Sequence, residues 1–231
     1  MSRNYVFASG EYYHIYAHGV EDVLVYRDHE DYKRFMECLY LLNTKKPVNI
    51  DGIKKLLKRG LTSHQTIYEI NEGDEKLVDI GAWCLMPNHF HILVRIKESD
   101  IEGKGLSKFM QKLMTSYTMY FNKKNERIGA LFGSSFKAQH VTEDNYLKYL
   151  FSYIHLNPVK LIQADWKEKG IKDIKKATVF LENYKYSSYQ DYLESVRPEN
   201  AILNRGVFPD YFNSSIKQMK EEMEGWLSIE K

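Results

Sequence analysis

The order of apolar patterns along the chain is the feature that most constrains its fold. Apolar residues in strand-like runs occur at 11–19, 65–70, 76–85, 90–96 and 135–141. Helical spacing occurs at 27–43, at 106–122 and from Thr142 to Asn157. The last of these helices is expected to end at Asn157, because Pro158 disfavours helical geometry in the residue before it. This order predicts an α+β sandwich, with helices packed on one face of an antiparallel sheet.

The length of 231 residues allows one well-buried domain with a small appendage. We predict the main domain over residues 1–192 and a helical extension over 193–231, with its last helix from about Phe212 to Ile229. Residues 44–75 look like an insertion and include a short basic helix from Asp51 to Arg59. The basic residues of that helix either contact a negatively charged partner or lie on a solvated face.

Composition and cysteine usage narrow the class of protein. The chain is 43% hydrophobic and 28% charged, which is ordinary for a folded soluble protein. It has no apolar run long enough to span a bilayer and no signal-peptide pattern at its start, so no membrane partner is expected. Cys38 and Cys84 lie far apart without a CxxC spacing, which argues against a disulfide scaffold or a thiolate zinc site. We therefore expect a cytoplasmic protein.

Charge distribution is more informative than the net charge of only +2. Between Lys104 and Lys160 there are nine Lys or Arg residues against three acidic ones, and the whole chain has 18 Tyr and 11 Phe. Cations interleaved with aromatic rings suit a groove for single-stranded nucleic acid, since phosphates attract cations and unpaired bases stack on rings. A solvated helix face over an aromatic core explains the same pattern equally well.

The segment Met86-Pro87-Asn88-His89-Phe90-His91-Ile92-Leu93-Val94 carries the strongest chemical signal. Alternate side chains of a strand share a face, so His89 and His91 point the same way. Two imidazoles at this spacing can bind one metal ion or form a hydrogen-bonded pair, and the spacing alone leaves both readings open. A histidine-triad hydrolase is excluded, because Leu93 occupies the position of its third histidine.

The helix that ends at Asn157 carries the second element. Tyr153 and Asn157 are four residues apart and therefore share one helical face. An adjacent apolar stripe would hold the helix against the sheet, formed by Leu147, Leu150, Phe151 and Ile154. Tyr153 and Asn157 would then flank the buried seam and could meet residues of the sheet. Taken alone, a tyrosine at such a position is usually an amphipathic packing residue.

These motifs together resemble a known family. The segments PNHFHILV, SFKAQHV, YIHLNPVK and YKYSSYQDYL follow in the same order as in the single-tyrosine HUH transposases, nearest the REP-associated tyrosine transposases. The N-terminal passage YHIYAHGVEDVLVYRDHEDYKRFMECL is similar to that branch, so the resemblance covers roughly residues 10–192. It implies a ferredoxin-like α+β sandwich.

The resemblance also implies roles for individual residues. His89 and His91 match the histidines that bind a divalent metal, and Asn157 matches the amide that completes the coordination. Tyr153 matches the catalytic nucleophile. Lys137 matches a basic position that would bind DNA phosphate, although a surface lysine is the simpler reading. Mg²⁺ prefers oxygen ligands and imidazole suits Mn²⁺, so either metal is expected as the cofactor.

The implied function is that of a DNA transposase and single-strand endonuclease. Such an enzyme cuts and rejoins hairpin-containing single-stranded DNA through a 5′-phosphotyrosine intermediate, as a monomer or a homodimer, and would associate with the nucleoid. The alternative is a domesticated protein that binds structured single-stranded nucleic acid without cleaving it. Inverted repeats beside the gene would favour the transposase.

Overall fold

The computed structural model describes residues 6–59, 65–70, 73–193 and 195–213. The strands in these ranges are β1 Tyr12–His18, β2 Val78–Met86, β3 His89–Ile96 and β4 Lys137–Val141. The helices are α1 His29–Leu41, α2 Ile50–Lys58, α3 Gly105–Lys124, α4 Asp144–Leu156, α5 Trp166–Lys169, α6 Ile174–Asn183 and α7 Tyr189–Tyr192. Short 3₁₀ turns connect them. None of the helices in the described ranges is long and apolar enough to cross a membrane.

The four strands form one antiparallel sheet in the order β2-β3-β1-β4. Helix α1 lies between β1 and β2 in the chain, and α3 lies between β3 and β4. This βαββαβ order with β1 and β3 in the centre is the ferredoxin-like arrangement, which confirms the predicted fold class. The register places Tyr16 opposite His91 and His18 opposite His89.

One face of the sheet packs against α1 and α3. Alternate residues of the central strands, such as Ile15, Phe90 and Ile92, are fully buried there. The ring of Phe35 on α1 lies 5.1 Å from that of Phe90, and the Tyr117 hydroxyl on α3 donates to the carbonyl of Val25. Burial of each such large side chain stabilises the fold by about 1.5–3 kcal/mol. The helical stripes predicted from the sequence therefore form this core.

The opposite face is also covered, which goes beyond the expectation of helices on one face. Cys84, Met86 and Leu93 point to this side and pack with Leu150 and Ile154 of α4, together with residues of α6 and α7. The physical reason lies in β2, in which all nine residues are buried. A strand that is apolar on both faces needs a packing layer on each side.

The outer edge of β2 is paired with chain that follows α6. The amide of Leu85 donates to the carbonyl of Tyr186 at 2.8 Å, and the amide of Ser188 donates to the carbonyl of Trp83 at 2.9 Å. Further along, the amide of Asn204 donates to the carbonyl of Ile80. These bonds satisfy backbone groups that an open sheet edge would leave unpaired.

Two local predictions differ from the structure. Residues 65–70 were expected as a strand, but Gln65–Tyr68 forms a 3₁₀ turn. Ile67 and Tyr68 are both buried, and neighbouring side chains can share a side in a helical turn but not in a strand. The helix expected from about Phe212 falls almost wholly outside the described residues, which end in the 3₁₀ turn Asp210–Asn213. The predicted short basic helix is present as α2.

Candidate active site

The central strands bring five histidine and tyrosine side chains to one face of the sheet. His14, Tyr16 and His18 alternate along β1, while His89 and His91 alternate along β3 beside them. The rings of His18 and His89 stack, with centroids 4.5 Å apart and planes at 15°. A cavity of about 410 Å³ lies over these side chains.

Helix α4 forms the opposite wall of this cavity. Helix α4 begins after Glu143 without a side-chain cap, unlike α1, which is capped by the side chain of Asp28. The apolar stripe of α4 holds it on the sheet. Tyr153 and Asn157 both line the cavity, as expected from their shared helical face. Helix α4 ends at Leu156, and Asn157 begins a 3₁₀ turn with Pro158 at its start.

His89 lies beside the side chain of Asn88. Its Nδ1 atom lies 2.7 Å from Oδ1 of Asn88, and Asn157 lines the same cavity. Burial, followed by the charges of His18 and two lysines, lowers the pKa of His89 to about 3, so the ring is neutral near pH 7. A neutral imidazole has a single N–H, so donation from Nδ1 to Asn88 leaves a free lone pair on Nε2.

His91 is paired with a residue that the sequence analysis did not select. Its Nδ1 atom lies 2.8 Å from Nε2 of His14, and the two rings stack with centroids 5.0 Å apart. Burial is the main cause that lowers the pKa of His14 to about 4 and the pKa of His91 well below its usual value. Both rings are therefore neutral, and one donates to the other. When His91 is the donor, its Nε2 atom keeps a free lone pair.

Tyr153 faces this histidine group across the cavity. Its ring meets the His91 ring edge-on with centroids 5.6 Å apart. Lys167 donates from Nζ to the Tyr153 hydroxyl at 2.8 Å, and the same ammonium lies 4.2 Å from the ring centroid. The ammonium of Lys167 therefore contacts both the hydroxyl and the ring of Tyr153. Lys167 lies on the short helix α5, outside the motif segments on which the resemblance rests. Sequence patterns therefore did not identify it.

Asn157 has the features of a ligand-binding amide. It is 3% exposed, and among the described residues its Nδ2 atom has no hydrogen-bond partner. An unsatisfied buried amide group costs about 1–3 kcal/mol, which a ligand can recover. Rotation of the amide by a half turn would place its oxygen at the same position.

The residues present fit a divalent cation. A cation would accept lone pairs from the histidines and from the amide oxygen of Asn157, whose buried amide otherwise keeps a group without a partner among the described residues. In the described ranges no group of three or more His, Cys, Asp or Glu residues is arranged to hold a metal ion. The predicted metal ligands are two histidines and the amide of Asn157, so they do not form a group of three residues of those four types.

Lysine side chains border the cavity. Lys160 and Lys167 line it, and none of its described lining residues is acidic. Lys137, the predicted phosphate contact at the start of β4, lies beside it with Nζ 5.7 Å from the Tyr16 ring centroid. Lys160 belongs to the quoted YIHLNPVK segment, so its position near the site could have been expected.

His14 and His18 carried a signal that was visible in the sequence. They alternate with Tyr16 in YYHIYAH just as His89 and His91 alternate in HFH. Only the pairing of β1 with β3 reveals that the two alternating sets meet on one face.

Comparison with known proteins supports the class of protein that the sequence motifs indicate, the single-tyrosine transposases. Residues 54–157 match the family model of IS200-like transposases, and this segment contains His89, His91, Tyr153 and Asn157. The match confirms the resemblance to single-tyrosine transposases. No curated protein is significantly similar to the chain. Among solved structures, the chain is similar to a REP-associated tyrosine transposase bound to a REP hairpin, with 13% identity, a TM-score of 0.46 and coverage of 90% of this chain and 88% of that chain.

Proposed function

We propose that the protein cuts and rejoins hairpin-containing single-stranded DNA through a covalent bond between Tyr153 and a 5′-phosphate. One observation carries this proposal. Tyr153 and Asn157 of the α4 region share a cavity with His89 and His91 of the sheet, although these pairs are far apart in the sequence. The match of this segment to IS200-like transposases supports the same reaction class.

The side chains of His89, His91 and Asn157 would hold the divalent metal, either Mg²⁺ or Mn²⁺. When bound, the metal supplies Lewis-acid polarisation of the scissile phosphate. Asn88 and His14 contact the Nδ1 atoms of the two histidines and so orient their rings. Such outer contacts fix which ring nitrogen is left without a proton.

Tyr153 supplies the nucleophile for the cleavage step. Its phenol oxygen attacks phosphorus, the new Oη–P bond forms, and the bond from phosphorus to the 3′ oxygen breaks. The phenol proton passes to solvent, and the leaving 3′ oxygen takes up a proton as it becomes a hydroxyl group. Lys167 donates to the phenol oxygen and stabilises negative charge on it. Attack of a 3′-hydroxyl on the phosphotyrosine reverses the step, so rejoining needs no ATP.

DNA binding in this proposal depends on the cations around the cavity. Lys137, Lys160 and Lys167 would neutralise phosphates on either side of the cleaved bond. The preference for a hairpin follows from the resemblance to REP-associated transposases, and the hairpin-bound state of the similar solved protein motivates its choice as the test substrate.

The test uses labelled single-stranded DNA that carries the hairpins flanking the gene, incubated with the full chain and Mn²⁺. We expect a protein–DNA adduct on a denaturing gel, which is lost on metal chelation and in the Tyr153→Phe variant. The matched control is Tyr186→Phe, which removes a hydroxyl that contacts His29 away from the cavity. Hairpin binding without any adduct would overturn the proposal in favour of the non-cleaving binding protein.

A further inference from the structure

Three tyrosines on one face of α4 form a series of nearly parallel rings that starts at the nucleophile. The ring centroids of Tyr153 and Tyr149 are 6.0 Å apart, with planes at 18°. Those of Tyr149 and Tyr146 are also 6.0 Å apart, with planes at 26°. We call Tyr146 and Tyr149 the tyrosine ladder. At this separation the rings are offset from one another.

The tyrosine ladder faces the cavity, and the ring of Tyr146 also packs against the apolar cluster beneath α4. Both of its residues line the cavity together with Tyr153, and Tyr149 is 40% exposed. The apolar stripe on the adjacent side of α4, which includes Leu147 and Ile154, already holds the helix on the sheet. The ladder rings therefore add aromatic surface to the cavity beyond the aliphatic side chains that pack α4.

The surroundings of the tyrosine ladder indicate the chemistry of its ligand. Lys160 and Lys167 line the same cavity, and no acidic side chain is found among its described lining residues. Gln139 of β4 also lines it. Ring faces beside cations suit a single strand, which exposes its bases and phosphates, whereas a duplex covers its base faces.

We propose that the tyrosine ladder stacks the unpaired nucleobases next to the scissile phosphate and thereby positions that phosphate against Tyr153. The inference rests on the proposed function and assigns the base-binding part of the same site. Because every base has a π-face, this stacking tolerates any base and positions the strand without reading its sequence.

The protein side of the test compares removal of a ring with removal of its hydroxyl. Binding of short unstructured DNA strands is measured in the Tyr153→Phe background, where no adduct can form. Tyr149→Ala and Tyr146→Ala should each weaken binding roughly tenfold, whereas Tyr149→Phe and Tyr146→Phe should retain it. Met119→Ala is the control, since Met119 is 68% exposed on α3. Unchanged binding by both alanine variants would overturn the proposal.

The DNA side of the test removes one base at a time. An abasic site next to the scissile phosphate should weaken binding to the Tyr153→Phe protein by a similar factor. The same abasic site should cause little further loss in a protein that also carries Tyr149→Ala and Tyr146→Ala, because the stacking partner is already absent. Equal losses in both proteins would show that the missing base contacts other residues and would contradict the inference.

The two proposals fail in distinguishable ways. Suppose that the unmodified chain forms adducts, but that neither an abasic site nor either alanine substitution in the tyrosine ladder changes DNA affinity. Only the stacking role of the tyrosine ladder is then rejected. If no adduct forms while binding depends on base and ring together, the cleavage reaction is rejected and the stacking site stands. Circular dichroism melting of each variant separates loss of binding from loss of folding.

Discussion

At the residue scale, each of the two histidines predicted to bind the metal, His89 and His91, has its Nδ1 atom against a polar neighbour. Asn88 adjoins His89 in the chain, so local sequence provides that contact. His14 reaches His91 across two paired strands. The orientation of the predicted metal ligands therefore depends on one local contact and one tertiary contact.

His14→Phe tests the tertiary contact. Phenylalanine keeps the ring volume but removes the hydrogen-bond partner of His91, so the His91 ring loses its fixed orientation. We expect Mn²⁺ affinity to fall about 10–100-fold, as measured by calorimetric titration. His14→Gln restores a side-chain acceptor and should recover part of the affinity. Equal Mn²⁺ affinity in all three proteins would contradict the orienting role.

Lys167→Ala tests the cation beside the nucleophile. The variant lacks the donor that contacts the Tyr153 hydroxyl, so negative charge on that oxygen loses its stabilisation. We expect the rate of adduct formation to fall by about 100-fold, with a smaller loss in Lys167→Arg. Lys169→Ala is the matched control, because Lys169 lies on the same short helix and pairs with Asp165 at 3.0 Å. Similar rates in the Lys167 and Lys169 variants would argue against this role.

At the element scale, α4 carries the proposed nucleophile, and its packing on β2 and β3 sets the position of Tyr153. Its apolar stripe and the Pro158 that ends it were recognisable from local sequence. The start of α4 was harder to predict, because helical spacing begins at Thr142 in the sequence, whereas the helix begins after Glu143 without a side-chain cap. Tertiary packing of the stripe evidently holds the helix without that local signal.

Ile154→Ala tests how far the site depends on this packing. Ile154 is fully buried beside Tyr153, so the truncation leaves a cavity under α4. We expect the free energy of unfolding to fall by about 2–5 kcal/mol in urea denaturation, and adduct formation to slow with it. Val179→Ala on α6, where Val179 is 58% exposed, should change stability by less than about 0.5 kcal/mol. A fully stable Ile154→Ala protein would show that α4 is held by other contacts.

At the scale of the whole molecule, the ferredoxin-like order places both histidine-bearing strands at the centre of the sheet. Helices α1 and α3 cover one face, and the other face opens into the cavity beside α4. Residues beyond the predicted domain boundary at 192 also join the core, since Ile202, Phe208 and Phe212 are buried in it. The division at that boundary stays a prediction.

Salt dependence tests the electrostatic part of DNA binding. If phosphates meet Lys137, Lys160 and Lys167, affinity for the hairpin strand should fall steeply and linearly on a logarithmic scale as salt rises. Fluorescence anisotropy at several salt concentrations measures this slope. Lys137→Ala should reduce the magnitude of the slope by about one, whereas Lys33→Ala on α1 should leave it unchanged. A flat profile for the unmodified chain would contradict phosphate-dominated binding.

The sequence by itself determined most of the elements and the residues of the predicted site. Alternation placed His89 and His91 on one strand face, and a four-residue spacing placed Tyr153 and Asn157 on one helix face, because these periodicities are properties of the local backbone. The tertiary structure decided which distant elements meet. It alone brought His14 against His91, set Lys167 beside Tyr153, covered the second face of the sheet and turned 65–68 into a 3₁₀ segment. Strand pairing and packing join residues far apart in the chain, and no local pattern records those partners.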